Sequence, residues 1–148
     1  MKIEMTIGYL IDHTVIEALF DSTHEKHEQA LSLIYFLDQK QLYITYIELI
    51  KVMDLCKEYD DETKKEMFRL IIEITKVLNV YENETFKKIL RIYTRFNGEF
   101  DFSDCINIYY MNYRKFWNLV SFDERYDKID KVKRIYDVEN GEIIKKQS

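Results

Sequence analysis

Apolar positions along the chain follow two periods. A short run at residues 6–11, TIGYLI, shows no sustained polar alternation and stops at Asp12, as a buried parallel strand would. QLYIT at 41–45 and NLVSF at 118–122 read the same way, with Asp123 after the latter. VKRIY at 132–136 predicts a last strand and residues 79–81 a brief one. Between them the helical period takes over. Residues 24–39 carry Leu31, Ile34 and Tyr35 on one face, and residues 46–58 carry Leu49, Val52, Met53 and Cys56. Residues 61–78 repeat the spacing with Met67, Leu70, Ile71 and Ile74. Residues 85–96 use Phe86, Ile89, Leu90 and Tyr93, and residues 102–115 use Ile106, Tyr109, Tyr110 and Tyr113. Asn97-Gly98 is a helix stop. Strands alternating with helices predict a three-layer α/β/α sandwich around a mostly parallel sheet of four to five strands. Residues 1–138 make one domain, and residues 139–148 form a polar tail expected to fray.

Composition narrows this picture. The 148 residues include no proline and three glycines, which leaves little room for linkers and favours uninterrupted helices. Apolar stretches are too short for a membrane span, so no membrane partner is expected. The first residues, MKIEMTIGYLID, place acids around their apolar run and offer no small-residue cleavage site, so the expected location is cytoplasmic. The net charge of −5 argues against a large nonspecific DNA-binding surface, but is compatible with a small site where cations offset clustered acids. Cys56 and Cys105 stand apart, in helical stripes, and read as buried free thiols.

The acids supply the candidate chemistry. Asp12 and Asp123 directly follow strands, and the carboxyl ends of parallel strands border the ligand crevice of such sheets. Glu48 falls in the first turn of the helix after the second strand, at the same sheet end, and Asp104 in the first turn of its own helix. Four converging carboxylates repel unless protonated or neutralised. Mg²⁺ or Mn²⁺, hard cations that take oxygen ligands, fit best, and a pair of them can clamp the attacking and leaving oxygens of a phosphodiester. Each acid also has an ordinary reading. Asp12 suits a turn. Glu48 and Asp104 suit helix N-termini, with Asp101 as N-cap and Asp104 as its N3 partner. Asp123 could cap the turn DERYDKI.

Four segments in order carry a resemblance. YLIDHTVIEALF, LYITYIELIKVM, FDFSDCINIYYM and LVSFDERYDKI resemble the four acid-bearing motifs of the PIN domain, and more narrowly of the VapC-like toxin ribonucleases. They span residues 6–127. The resemblance implies a PIN-like fold and Mg²⁺- or Mn²⁺-dependent cleavage of RNA at Asp12, Glu48, Asp104 and Asp123. Thr14 and Ser121 match positions that support the first acid. Asp101 competes with Asp104 in the third motif, and Asp104 is preferred because it directly precedes the apolar helical run. His13 and Thr14 depart from the commoner small residue and Asn beside the first Asp. The resemblance also implies a homodimer and an antitoxin bound in a hydrophobic groove; an RNA-processing nuclease without antitoxin is equally compatible with these residues, whereas retention of all four acids argues against a catalytically silent interaction module.

Other positions carry paired readings. Arg114, Lys115, Arg125 and Lys128 flank the third and fourth motifs and are candidates for holding RNA phosphates. Lys87, Lys88, Arg91 and Arg95 could do the same or form a solvated helix face. His24 and His27 offer two nitrogens at helical spacing, too few for a zinc site. His13 is either structural or a substrate contact. Asp127 reads as surface rather than an outer ligand, and Trp117 as core rather than a stacking platform. A phospho-acceptor signalling domain would also gather acids at strand ends, but needs an acidic pair near the first strand and a Lys after the last. The first strand here ends in a lone Asp.

Overall fold

The computed structural model describes residues 7–79 and 82–145. Thr6, Val80 and Tyr81, which the strand readings above include, lie outside the described residues. The elements run β1 (Gly8–Ile11), α1 (His13–Phe20), α2 (His27–Leu37), β2 (Gln41–Thr45), α3 (Tyr46–Leu55), α4 (Asp61–Ile74), β3 (Lys76–Leu78), α5 (Asn83–Arg95), α6 (Phe102–Arg114), β4 (Asn118–Val120), a 3-10 turn (Glu124–Lys128), β5 (Lys133–Glu139) and β6 (Glu142–Lys145). No helix among them is long and apolar enough to cross a membrane.

One six-stranded sheet has the order β3-β2-β1-β4-β5-β6. Its first five strands are mutually parallel, and β6 is antiparallel to β5. The chain winds outward from β1 through β2 to β3, then returns to place β4 on the other side of β1. The seam between β1 and β4 is therefore the topological switch point, where sheets of this kind hold their ligands.

Alternation along the strands divides the core. Tyr9, Ile11, Leu42, Ile44 and Val120 face one layer, with Val15, Leu33, Leu49, Val52 and Met67 of α1–α4. Leu10 and Leu119 face the other, with Ile89 of α5 and Cys105, Ile106, Ile108 and Met111 of α6. The result is a three-layer α/β/α sandwich.

Differences from the expected elements have local causes. The sheet has six strands rather than four to five. Residues 76–78, expected at the end of a helix, form β3, because α4 stops at Ile74 with Thr75 in extended backbone. Of the tail expected to fray over residues 139–148, residues 139–145 form a hairpin, in which Asn140 and Gly141 both take positive φ, 52° and 77°, and turn β5 back into β6; residues 146–148 lie outside the described residues. The helix α1 follows Asp12 without any apolar stripe long enough to announce it. In α2 the buried face is Ala30, Leu33 and Leu37, while Leu31 and Tyr35 are exposed. That helix is apolar almost all round, and the face holding the small Ala30 is the one placed against α1, whose Ala18 is also buried. Only Ile89 of α5 is buried, since that helix lies outermost; Phe86, Leu90 and Tyr93 stay exposed, as do Leu70 of α4 and Tyr113 of α6. Cys56 and Cys105 are buried free thiols.

Gly8 begins β1 where the Phe116 ring crosses it, and a Cβ there would meet ring carbons at 2.8 and 2.9 Å. Gly8→Ala is expected to cost about 1–3 kcal/mol through overpacking. Phe116→Leu, by freeing space, should recover part of that loss in the double variant, as read by urea denaturation.

Candidate active site

Asp12 closes β1 and opens α1. Its extended backbone (φ −109°, ψ 177°) makes it the N-cap, and its Oδ1 accepts from the Thr14 N–H at 3.1 Å. The same oxygen accepts from the Thr14 hydroxyl at 2.5 Å, and Oδ2 accepts from the Ser121 hydroxyl at 2.5 Å. Each hydroxyl also accepts a backbone N–H: Phe122 N–H donates to Thr14 Oγ1 at 2.9 Å and Asp123 N–H to Ser121 Oγ at 3.0 Å. The Asp12 N–H donates to the Val120 carbonyl at 3.2 Å. The ends of β1 and β4 are thus laced together around one carboxylate that is only 1% exposed.

Glu48 sits in the first turn of α3, and is fully buried. Its Oε2 accepts from the His13 backbone N–H at 2.7 Å and lies 2.6 Å from His13 Nδ1. Its Oε1 accepts from Asn107 Nδ2 at 2.9 Å. Asn107, buried in α6, accepts in turn from the Thr45 hydroxyl at 2.9 Å. The Tyr126 hydroxyl accepts from Asn107 Nδ2 at 3.2 Å and donates to Asp104 Oδ1 at 3.2 Å. Asp104 is the N3 residue of α6, and its Oδ2 accepts from the Asp101 N–H at 2.9 Å. Asp101 is the N-cap of that helix, which settles the pair's helix-end roles without removing Asp104 from the cluster. Asp123 follows β4, caps the 3-10 turn through the Arg125 N–H at 3.0 Å, and keeps partial exposure.

Two cations of the chain and one imidazole stand among these acids. The Arg125 guanidinium donates to Asp104 Oδ2 at 2.9 Å and to Asp123 Oδ2 at 2.6 Å. Lys51 Nζ is 4.0 Å from Glu48 Oε1 and 3.9 Å from Asp104 Oδ1. His13 faces Glu48. The structure therefore gathers Asp12, Glu48, Asp104 and Asp123 at one sheet end, linked by shared partners. Among the described residues no three His, Cys, Asp or Glu side chains are grouped closely enough to hold a metal ion as they stand. The all-oxygen donor set nevertheless suits a hard cation in chemical type.

A 460 Å³ cleft lined by His13, Lys51, Asp54, Leu55 and Lys57 opens beside the acids. Lys51 and Lys57 have no sequence signal beyond their place on and after α3, and the motif reading misses them. It misses Asn107 as well, because that residue sits in an apolar helical run that reads as core, and Tyr126, because it sits in the charged turn DERYDKI.

Arg114 and Lys115, expected near the acids, lie at the opposite end of the sheet. The helix α6 begins at the cluster with Asp104 and carries Arg114 away, ten residues at about 1.5 Å each. Arg125 touches the acids directly. Lys128 is at the right end but pairs with Glu99 at 3.1 Å. Asp127 is engaged bidentately by the buried Arg134 at 2.8 and 3.0 Å, and Arg134 also donates to the Ser121 carbonyl at 3.1 Å. Asp127 is thereby a brace for the strand end and not a member of the cluster. His27 Nδ1 lies 2.8 Å from the Ala18 carbonyl and His24 Nδ1 accepts from the Lys26 N–H at 3.0 Å. Lys87 pairs with Glu84 on the solvent face of α5. Trp117 packs against the core and is only half-buried.

Burial, and then the Glu48 charge, push the Asp12 carboxyl up to about 7 against the hydroxyl donors that favour its ionised form. Burial works in the same direction on Glu48, but the hydrogen bond from His13 and the charges of His13 and Lys51 outweigh it, and Glu48 lies below the ordinary range. Asp123 is also lowered: burial opposes, and the Arg125 hydrogen bonds and charge prevail. His13 is raised, first by its bond to Glu48. For Asp12 the folded chain holds a proton that the unfolded chain releases near 3.8, so its contribution to stability is lost as pH rises from about 4 to about 7. Asp12→Asn keeps a capping side chain and removes the titration. In EDTA the variant should gain on the natural chain through that window, by on the order of 2–4 kcal/mol at pH 8, in urea denaturation. An advantage that does not change with pH would refute the burial argument.

No family model matches the sequence, and no curated protein matches it. Solved structures do. VapC20 of Mycobacterium tuberculosis, described as a sarcin-ricin loop cleaving toxin, aligns at 13% identity and TM-score 0.69, over 81% of this chain and 93% of that one. A toxin–antitoxin complex from Klebsiella pneumoniae aligns at 18% identity and TM-score 0.64, over 84% and 94%. The PIN domain endonuclease Utp24 aligns at 15% identity and TM-score 0.52, over 95% and 92%. In fold, this chain is similar to these toxin and PIN-domain endonuclease structures, and it has the PIN-like α/β/α architecture.

Proposed function

We propose that the chain is a metal-dependent endoribonuclease that hydrolyses RNA phosphodiesters at Asp12, Glu48, Asp104 and Asp123, and that it is the toxin of a toxin–antitoxin pair. The observation that carries this is the meeting of four acids from separate elements at the switch point of the sheet, in a fold shared with a sarcin-ricin loop cleaving toxin and a PIN endonuclease. Asp12, Glu48, Asp104 and Asp123 would hold Mg²⁺ or Mn²⁺. A bound ion of this class supplies Lewis acidity and a water of lowered pKa. The chain does the rest. Ser121 and Thr14 fix both oxygens of Asp12, leaving it one geometry. His13 and Asn107 hold Glu48 from opposite sides. Tyr126 orients Asp104. Ligation of Asp104 and Asp123 requires Arg125 to yield its bonds, which frees a guanidinium at the site for a phosphate oxygen. Lys51 and Lys57 line the adjoining cleft and suit the flanking phosphates.

Two partners belong to the same reading. The groove between α2, α4 and the β5–β6 turn is lined by Leu31, Ile34, Tyr35, Leu70, Ile74 and Val138, with Tyr35 88% exposed. Phe86, Leu90 and Tyr93 lie exposed on α5. Apolar surface of this extent suits an antitoxin segment and a second copy of the chain.

One observation favours a second reading. Arg125 already satisfies Asp104 and Asp123, as it would in a catalytically silent interaction module. Titration with Mn²⁺ separates the two, since the silent module takes up no ion.

With Mg²⁺ or Mn²⁺ on single-stranded RNA, Asp12→Asn and Asp123→Asn should each lower cleavage by on the order of 10²–10³-fold. Ser121→Ala, which only loosens Asp12, should cost roughly 10–100-fold. Undiminished cleavage by Asp12→Asn would sink the assignment.

A further inference from the structure

At the end of the sheet opposite the carboxylates, a second cleft of 510 Å³ lies over the start of β1 and β4. Four cations line it: Arg114 and Lys115 from the end of α6, and Lys131 and Lys133 from the approach to β5. All four are exposed, and among the described residues none makes an ion pair and no carboxylate lines the cleft. Asp130, the chain neighbour of Lys131, does not line it. In a chain with 27 acids against 22 bases, such a concentration is a departure from the average surface.

Helix capping accounts for half of the cluster. The carbonyl end of α6 presents about half a negative charge, which suits Arg114 and Lys115. It does not account for Lys131 and Lys133, which come from another part of the chain. Two of the cations are already positioned: Arg114 lies over the Tyr43 ring at 5.0 Å, and Lys131 over Trp117 at 5.6 Å. Side chains whose charged heads are already held near ring faces lose less freedom when they bind an anion. Trp117 itself, half-buried, lines the cleft beside the ammonium groups.

We propose that this cleft is a second nucleic-acid site at the pole away from the hydrolytic acids, which binds the phosphate backbone of single-stranded RNA, with Lys131 moving from the Trp117 ring to a phosphate and a base taking its place on the ring. Cations interleaved with an aromatic face are the chemistry of single-strand binding. An acidic protein segment would meet the charge but has no use for the ring. The inference rests on the proposed ribonuclease function only in choosing RNA among polyanions. Binding is measured without metal, so its failure and the failure of the hydrolytic reading are separate results. An RNA that binds here and is never cleaved overturns only the latter.

Trp117 is the one tryptophan of the chain, so its emission reports on this cleft alone. The full-length protein in EDTA is titrated with a labelled single-stranded RNA, following anisotropy and tryptophan emission together at several salt concentrations. The natural chain should bind with a change in Trp117 emission. Lys131→Gln with Lys133→Gln should bind roughly tenfold more weakly, and the slope of log affinity on log salt should fall by about 1.4, or about 0.7 for each phosphate left without its lysine. Lys64→Gln with Lys65→Gln on α4 removes the same charge elsewhere and should leave the slope unchanged. Circular dichroism confirms that both variants fold. The proposal is overturned if RNA binds without altering Trp117, if the cleft variant keeps the natural slope, or if the α4 variant loses as much. Loss of poly-glutamate binding by the cleft variant, with RNA binding intact, overturns it in favour of an acidic protein partner.

Discussion

Asp12 sits where the chain changes direction across the sheet, buried and served by two hydroxyls in place of a full counter-charge. Those hydroxyls are the lacing of the molecule. Thr14 belongs to α1 and Ser121 follows β4, yet each accepts a backbone N–H from the residues after β4 and donates to the same carboxylate. The strand seam, the entry of α1 and the position of Asp123 all depend on this one arrangement. Arg134 reinforces it from behind by holding the Ser121 carbonyl and Asp127 at once. The carboxylate cluster is thus built from the fold's central joint, and a change that loosens the joint loosens the cluster.

The helix-end reading of the acids and the functional reading are compatible. Asp12 is an N-cap, Asp104 an N3 residue, Glu48 a first-turn residue, and Asp123 the cap of a 3-10 turn. In a parallel sheet the helix that follows a strand begins at the strand's carboxyl end, so acids favoured by helix N-termini accumulate at that end. Capping gives each carboxylate a local reason to be there, and topology brings the reasons together. That is why the candidate site is legible from the chain: strand ends and helix starts are local features. Asn107, Tyr126 and the bridging role of Arg125 are not legible. They act through partners between 19 and 62 residues away, and nothing in their own neighbourhood marks them.

The same division explains the fold. QLYIT has the bounds its pattern predicts because a short apolar run between polar residues has one solution. The buried stripe of α2 departs from the expected one because that helix offers several apolar faces, and the choice among them belongs to α1. Arg114 and Lys115 are close to the acids in sequence but far from them in space, since a helix of 13 residues separates what it connects. The final hairpin is hidden by the polar character of residues 139–148, although Asn-Gly is a strong turn signal in its own right.

The β5–β6 hairpin has a consequence for the chain's behaviour in a crowded solution. A sheet that ended on β5 would expose a seven-residue strand with open backbone donors and acceptors, a template for joining other chains. The return of β6 covers it and leaves a four-residue border flanked by Glu142 and Lys145, while the far border, β3, is only three residues long and begins with Lys76. Among the described residues both margins are short and carry charge, which works against edge-to-edge aggregation of the sheet.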